Sequence, residues 1–329
     1  MTRRTVSAVA IALALQAVGA TAARADGLPV LGFTGGTRGV RSLDGTRRYL
    51  ARPRRHETIV RAVTTSGRTQ ARAALPGRFD VPVVAYDGSA SGLSANGRTL
   101  VLIRPRTAFP QRSTELAVLS APTLHPLRFE RLRGDFSFDA ISPGGEWIYL
   151  IQYTSRFDPT RYRVRALSAR TGHLLARDIV DPRNRGEAMR GNPITRVSSA
   201  DGRWAYTLYD GNGQPFVHAL DTARLTARCI DVAAFPTNVN PWQARLTLSG
   251  ERLDVALEGQ TLTEIDTKSL SLIALTRAAG AKTAKSQPSE GSNTVPIAVG
   301  LLLLAGAGAG AILTVTRRGV APPRRSRVP

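Results

Sequence analysis

The chain has 329 residues, with 45 Lys and Arg against 24 Asp and Glu, for a formal net charge of +21. That length allows one large or two small domains around a well-buried core. Its one cysteine, Cys229, excludes an internal disulfide framework.

At the N-terminus, Met1-Thr-Arg-Arg precedes an apolar run from Val6 to Ala20 and the small-x-small triplet Ala23-Arg24-Ala25. This order of charged, apolar and cleavable segments predicts a signal peptide over residues 1–25, removed to leave Asp26 at the new N-terminus. The apolar run is too short to span a bilayer. Residues 26–275 are therefore expected outside the cell as one domain.

Charge within that domain is uneven. Residues 26–133 hold 18 Arg against seven acids, a net of +11, whereas 134–275 hold 16 bases and 16 acids. Arg47, Arg48, Arg52, Arg54 and Arg55 crowd into nine residues, which makes them candidate binders of an anionic envelope polymer, a lipid headgroup or an acidic protein. A solvated basic surface without a partner is the alternative. Nucleic acid is not an expected partner of an exported domain.

One turn signature recurs five times: Ser42-Leu-Asp-Gly45, Ser94-Ala-Asn-Gly97, Ser142-Pro-Gly-Gly145, Ser199-Ala-Asp-Gly202 and Thr247-Leu-Ser-Gly250, at glycine spacings of 52, 48, 57 and 48. The hydroxyl can bond a nearby backbone amide, and Asp/Asn-Gly supplies positive φ for a tight hairpin. Strand-like runs follow, such as Trp147-Ile-Tyr-Leu-Ile and Trp204-Ala-Tyr-Thr-Leu. A second hairpin comes 16 to 25 residues later, as in Ala62-Val-Thr-Thr-Ser-Gly67 and Ala219-Leu-Asp-Thr222. Four strands per unit predict an all-β fold, a β-propeller of about five four-stranded blades over 26–275. An antiparallel sandwich with coincidental turns is the competing fold.

The turns resemble the S-P-D-G repeat of TolB-type and YVTN-type β-propellers. The resemblance covers roughly residues 30–275 and implies a fold; such propellers include scaffolds, binding modules and hydrolases, so it implies no reaction. Gly144 and Ser249 stand where the repeat has aspartate.

Within the propeller reading, the strands nearest the axis include Asp139, Arg196 and Arg245, which could bind a carboxylate, phosphate or sugar or could pair across blades as structure. Trp147 and Trp204 occupy equivalent positions after the turn glycine, as expected of packing between blades. His56, His125, His173 and His218 share no metal-ligand spacing, so no metal is expected. Gly88-Ser-Ala-Ser-Gly92 has Ala90 where a nucleophile elbow needs serine, and reads as a loop. No P-loop or dinucleotide fingerprint is present, so no cofactor is expected and no catalytic residue stands out.

Residues 276–294 read as a flexible linker spanning on the order of 25 Å. Residues 295–315 carry no charge over a helical length of about 31 Å, matching the hydrocarbon core of a bilayer. Five arginines follow in the tail 316–329. The positive-inside rule then predicts a single-pass cell-membrane protein with a cytoplasmic tail. Gly306 and Gly310 form a G-x-x-x-G pair that would allow a homodimer in the membrane. The functional expectation is a membrane-tethered recognition or scaffold module, with a propeller-type hydrolase or lactonase acting at the channel mouth as the alternative.

Overall fold

Ser42, Ser94, Ser142 and Ser199 perform the same task in four hairpins of the computed structural model, which describes residues 38–184 and 189–273. Each hydroxyl accepts from the amide five residues on, at 3.0, 3.0, 3.0 and 2.9 Å. Each also donates to an acceptor side chain inside the turn: Asp44, Asn96 or Asp201, and Glu146 where Gly144 leaves that position empty. The serine thus ties both arms of the hairpin, and glycine completes it at positive φ.

The fifth turn is different. Ser249 pairs directly with Arg252, leaving a two-residue hairpin of Gly250 and Glu251, so Thr247 lies within a strand and has no role in the turn.

These hairpins organise five antiparallel sheets in chain order. Sheet 1 contains β1 (Val40–Arg41), β2 (Arg47–Pro53), β3 (Glu57–Thr64) and β4 (Thr69–Pro76). Sheet 2 contains β5 (Thr99–Ile103), β6 (Ser113–Ser120) and β7 (Pro126–Arg133). Sheet 3 contains β8 (Phe136–Ile141), β9 (Trp147–Tyr153) and β10 (Tyr162–Ser168). Sheet 4 contains β11 (Pro193–Ser198), β12 (Trp204–Tyr209), β13 (Phe216–Asp221) and β14 (Thr226–Asp231). Sheet 5 contains β15 (Arg245–Ser249), β16 (Arg252–Leu257), β17 (Gln260–Asp266) and β18 (Ser271–Ile273). Single bridges extend the two shorter sheets: Leu93 to Leu100 and Asp80 to Ile103 beside β5, and Val164 to Ile179 and Leu167 to Leu174 beside β10.

Period-two alternation explains how the sheets stack. In β5, Leu100 and Leu102 pack towards sheet 1, while Val101 and Ile103 pack towards sheet 3. In β12, Tyr206 and Leu208 face sheet 5, while Ala205 and Tyr209 face sheet 3. Four apolar clusters result, between sheets 1 and 2, 2 and 3, 3 and 4, and 4 and 5. Burial of a Leu or Phe side chain stabilises by about 1.5–3 kcal/mol, so these seams hold the domain together. Trp147 packs against the cluster between sheets 3 and 4, and Trp204 against the one between 4 and 5.

Residues 80–93 form an irregular strap that includes the Gly88–Gly92 loop. The Tyr86 and Asp87 amides donate to Pro193 and Ile194 of β11, at 3.0 and 3.1 Å. Tyr86 also meets Trp242 edge-on, with ring centroids 4.7 Å apart. The strap therefore joins sheet 2 to sheets 4 and 5. A cleft of about 160 Å3 lies beside it, lined from sheets 1 to 4 by residues including Arg41, Ser94, Ala140 and Arg196.

The expected signal peptide, linker, transmembrane helix, Gly306–Gly310 pair and basic tail lie outside the described residues. Among the described residues, no helix is long and apolar enough to cross a membrane.

Candidate binding face

Two places gather charge: the seam between sheets 3 and 4, and the outward side of sheet 1. At the seam, β8 presents Asp139 and β11 presents Arg196, both almost fully buried. Arg196 donates to the Asp139 carboxylate, to its backbone carbonyl at 2.8 Å and to the Thr207 hydroxyl. The pair neutralises itself across two sheets. The third expected member, Arg245, does not join it. The parity of β15 buries Leu246 and turns Arg245 outward, where it donates to the carbonyls of Trp242 and Ala244 at 3.0 and 2.8 Å. The three residues do not form one site.

Arg196 begins a polar row that runs across sheet 4 through Thr207, His218 and Cys229, each opposite the next. His218 is 1 % exposed, and burial pushes its pKa down to about 4. The imidazole is therefore neutral at pH 7. A second buried pair, Arg106 with Asp135 at 2.6 Å, lies between sheets 2 and 3, with Arg106 over the Tyr153 ring. Burial raises the Asp135 pKa against the pull of Arg106. Nothing in the sequence marked these groups, because His218 and Arg106 sit in no motif.

On sheet 1, Tyr49, Ala51, Val60 and Ala62 turn inward to sheet 2. Parity then places Arg48 and Arg52 outward, and register brings in three arginines that the sequence cluster lacked. Arg41 lies opposite Arg48, Leu50 opposite Arg61, and Arg61 opposite Arg72. Arg41, Arg48, Arg52, Arg61 and Arg72 therefore share one face. None of the five has a carboxylate partner among the described residues. A groove of about 390 Å3 on this side is lined by Arg41, Arg47, Arg48 and Arg61 around Leu50 and Val63.

The remaining sequence candidates lie at its margins. Arg47 opens β2 opposite Thr64, on the side of Tyr49, and is exposed at the strand end. Arg54 and Arg55 occupy the β2–β3 loop, where Arg54 approaches Glu57 at 3.9 Å on the surface. The extra members could have been found from the alternation of Arg48-x-x-x-Arg52 and Arg61 in strand-like runs. Their placement together needed the pairing register as well.

No protein-family model matches the chain, and no curated protein matches it. Solved structures with a similar arrangement include a functionally unknown protein from Desulfotomaculum acetoxidans, 13% identical over 71% of this chain and 67% of that one, at TM-score 0.44. The Cps50 (Swd1) β-propeller domain of Myceliophteria thermophila is 10% identical over 69% and 65%, at TM-score 0.41. A putative TolB from Agrobacterium tumefaciens is 13% identical over 69% and 79%, at TM-score 0.33. The likeness is one of fold, to TolB-type and other propeller structures. At these scores the fold rests on the sheet order itself.

Proposed function

We propose that the protein is a non-enzymatic recognition or scaffold module, a five-bladed propeller-type domain held at the cell membrane by residues 295–315. It binds a carboxylate- or phosphate-bearing partner on the outward face of sheet 1. The observation that carries this reading is the set of five guanidinium groups on one face without a carboxylate among the described residues to neutralise them. A planar guanidinium matches carboxylate and phosphate with two parallel hydrogen bonds. Several such groups on one face also attract an anion before contact. The charged groups at the inner strands offer no comparable opportunity, since Asp139 and Arg196 hold each other.

Binding of the full chain to polyglutamate, polyphosphate and neutral dextran across a salt series tests the proposal. Both polyanions should bind and dextran should not, with affinity falling as salt screens the contact. Replacing Arg48, Arg52, Arg61 and Arg72 together by serine should weaken binding by about tenfold or more, which is about 1.4 kcal/mol. Unchanged binding by that variant, or equal binding to dextran, would overturn the proposal.

A further inference from the structure

The two ends of the stack are the only sheets that pack on one side alone among the described residues, and their free faces differ in sign. Residues 38–76, which make up sheet 1, carry ten Arg against two acids; residues 245–273, which make up sheet 5, carry three bases against five acids. On sheet 5, Leu253, Val255 and Ile265 turn towards sheet 4. Parity therefore sends Asp254, Glu264 and Asp266 outward with Arg245, Arg252 and Thr247, three acids against two arginines. Thr247, Ser249 and Arg252 are exposed there.

Both free faces contain an arrangement that is unfavourable in isolation. On sheet 5, Asp254 lies directly opposite Glu264. On sheet 1, Arg41 lies opposite Arg48, and Arg61 opposite Arg72. Like charges directly opposite each other across a strand pair destabilise a sheet. Arg252 offsets part of this on sheet 5 by reaching Glu264 at 3.4 Å. Each face would be relieved by a surface of the opposite sign, and the molecule carries both.

We infer that the basic free face of sheet 1 docks onto the acidic free face of sheet 5 of a second copy of this chain. This rests on the reading of sheet 1 as an anion-binding face and names its partner. Because the two patches differ, the contact is heterologous: each copy keeps one free face of each sign, and association continues head to tail into a chain of copies.

The test uses the full chain in detergent, with sedimentation velocity at about 50 mM and about 1 M salt, where the Debye length is about 3 Å. The native chain should associate with rising concentration at low salt and dissociate at high salt. Two charge-reversed variants follow, one with Arg61→Glu and Arg72→Glu, the other with Asp254→Arg and Glu264→Arg. Each alone should sediment as a single copy, and an equimolar mixture should associate again, because each then offers the face the other lacks. Association that survives in both variants, or a mixture that stays dissociated, overturns the inference. So does a native chain that remains single at low salt. If the two faces closed within one chain, each variant would lose stability without any change in mass, and that result also overturns it. Polyglutamate binding on the same samples separates the two failures. Binding without self-association sinks only the head-to-tail contact, whereas loss of both sinks the anion-binding face as well.

Discussion

Sheet 3 and sheet 1 are built from the same hairpin, yet they treat charge in opposite ways. Sheet 3 lies between two neighbours, and every residue of β8 is buried. Its Asp139 must therefore find Arg196 on the next sheet. Among the described residues, sheet 1 has a neighbour on one side only. Its inward positions are Tyr, Ala and Val, and its outward positions accumulate arginines that no carboxylate among the described residues meets. Position in the stack, more than local sequence, decides whether a charged residue is structural or free to bind. A buried charge left alone is penalised heavily, whereas an exposed one is not.

That contrast can be broken or sharpened by substitution. The largest effect is expected at the interior pair. Arg196→Ala strands the Asp139 carboxylate between two sheets and should cost roughly 3–5 kcal/mol. Arg61→Ala on the free face should change stability by no more than about 0.5 kcal/mol. Urea unfolding of both measures the difference, and equal costs would dissolve the distinction between interior and end sheets.

His218 gives the next effect through pH. Its folded pKa of about 4 lies below the ordinary value of 6.5. Between those values the unfolded chain takes up a proton that the folded domain refuses. Stability should therefore fall as pH drops from 6.5 to about 4 and then level off, a loss on the order of 3 kcal/mol. His218→Phe should flatten that part of the stability profile. An unchanged slope would mean that other groups carry it.

The smallest expected effect compares two glycines in equivalent turns, Gly45 and Gly202, both at φ +70. A side chain at Gly45 meets nothing within 4 Å, whereas one at Gly202 would sit 2.5 Å from the Ala95 Cβ in the turn before β5. Backbone strain alone costs roughly 1–3 kcal/mol. Gly45→Val should fall near the bottom of that range, and Gly202→Val at its top or beyond. Thermal unfolding of the two variants ranks them, and a reversed order would remove the contact between turns as the cause.

The turns were the most legible part of the sequence, because Ser42, Ser94, Ser142 and Ser199 act on their own hairpins and need no distant partner. Thr247 looked like a fifth member only because a glycine follows at the right distance; pairing of Ser249 with Arg252 shows a tighter hairpin. The charge excess near Arg47–Arg55 was visible as composition. Its division into an outward face, a loop and a strand end depended on parity and on register with β1, β3 and β4. That register is how Arg41, Arg61 and Arg72 join the site, although they lie six or more residues outside the cluster. Asp139, Arg196 and Arg245 were all expected on the strands nearest the axis, and only Asp139 and Arg196 meet. Arg245 stands apart because one residue of strand parity separates an inward side chain from an outward one. His218 and Arg106 were illegible for another reason, since the burial of each is set by the neighbouring sheet.

The strap of residues 80–93 also governs the order in which the domain can come apart. In an array whose units touch only their neighbours, either end can fray and the loss can spread unit by unit. Here Ser89 reaches the carbonyl of Arg196, 107 residues away, at 3.3 Å, so sheets 2, 3 and 4 are enclosed in one loop of contacts. Opening any of them means releasing the strap as well. Sheet 5 stands outside that enclosure, attached through one apolar seam and the Tyr86–Trp242 edge contact. Its backbone amides, like those of sheet 1 at the other end, have a local route to solvent, while those of β9 and β12 must wait for global unfolding.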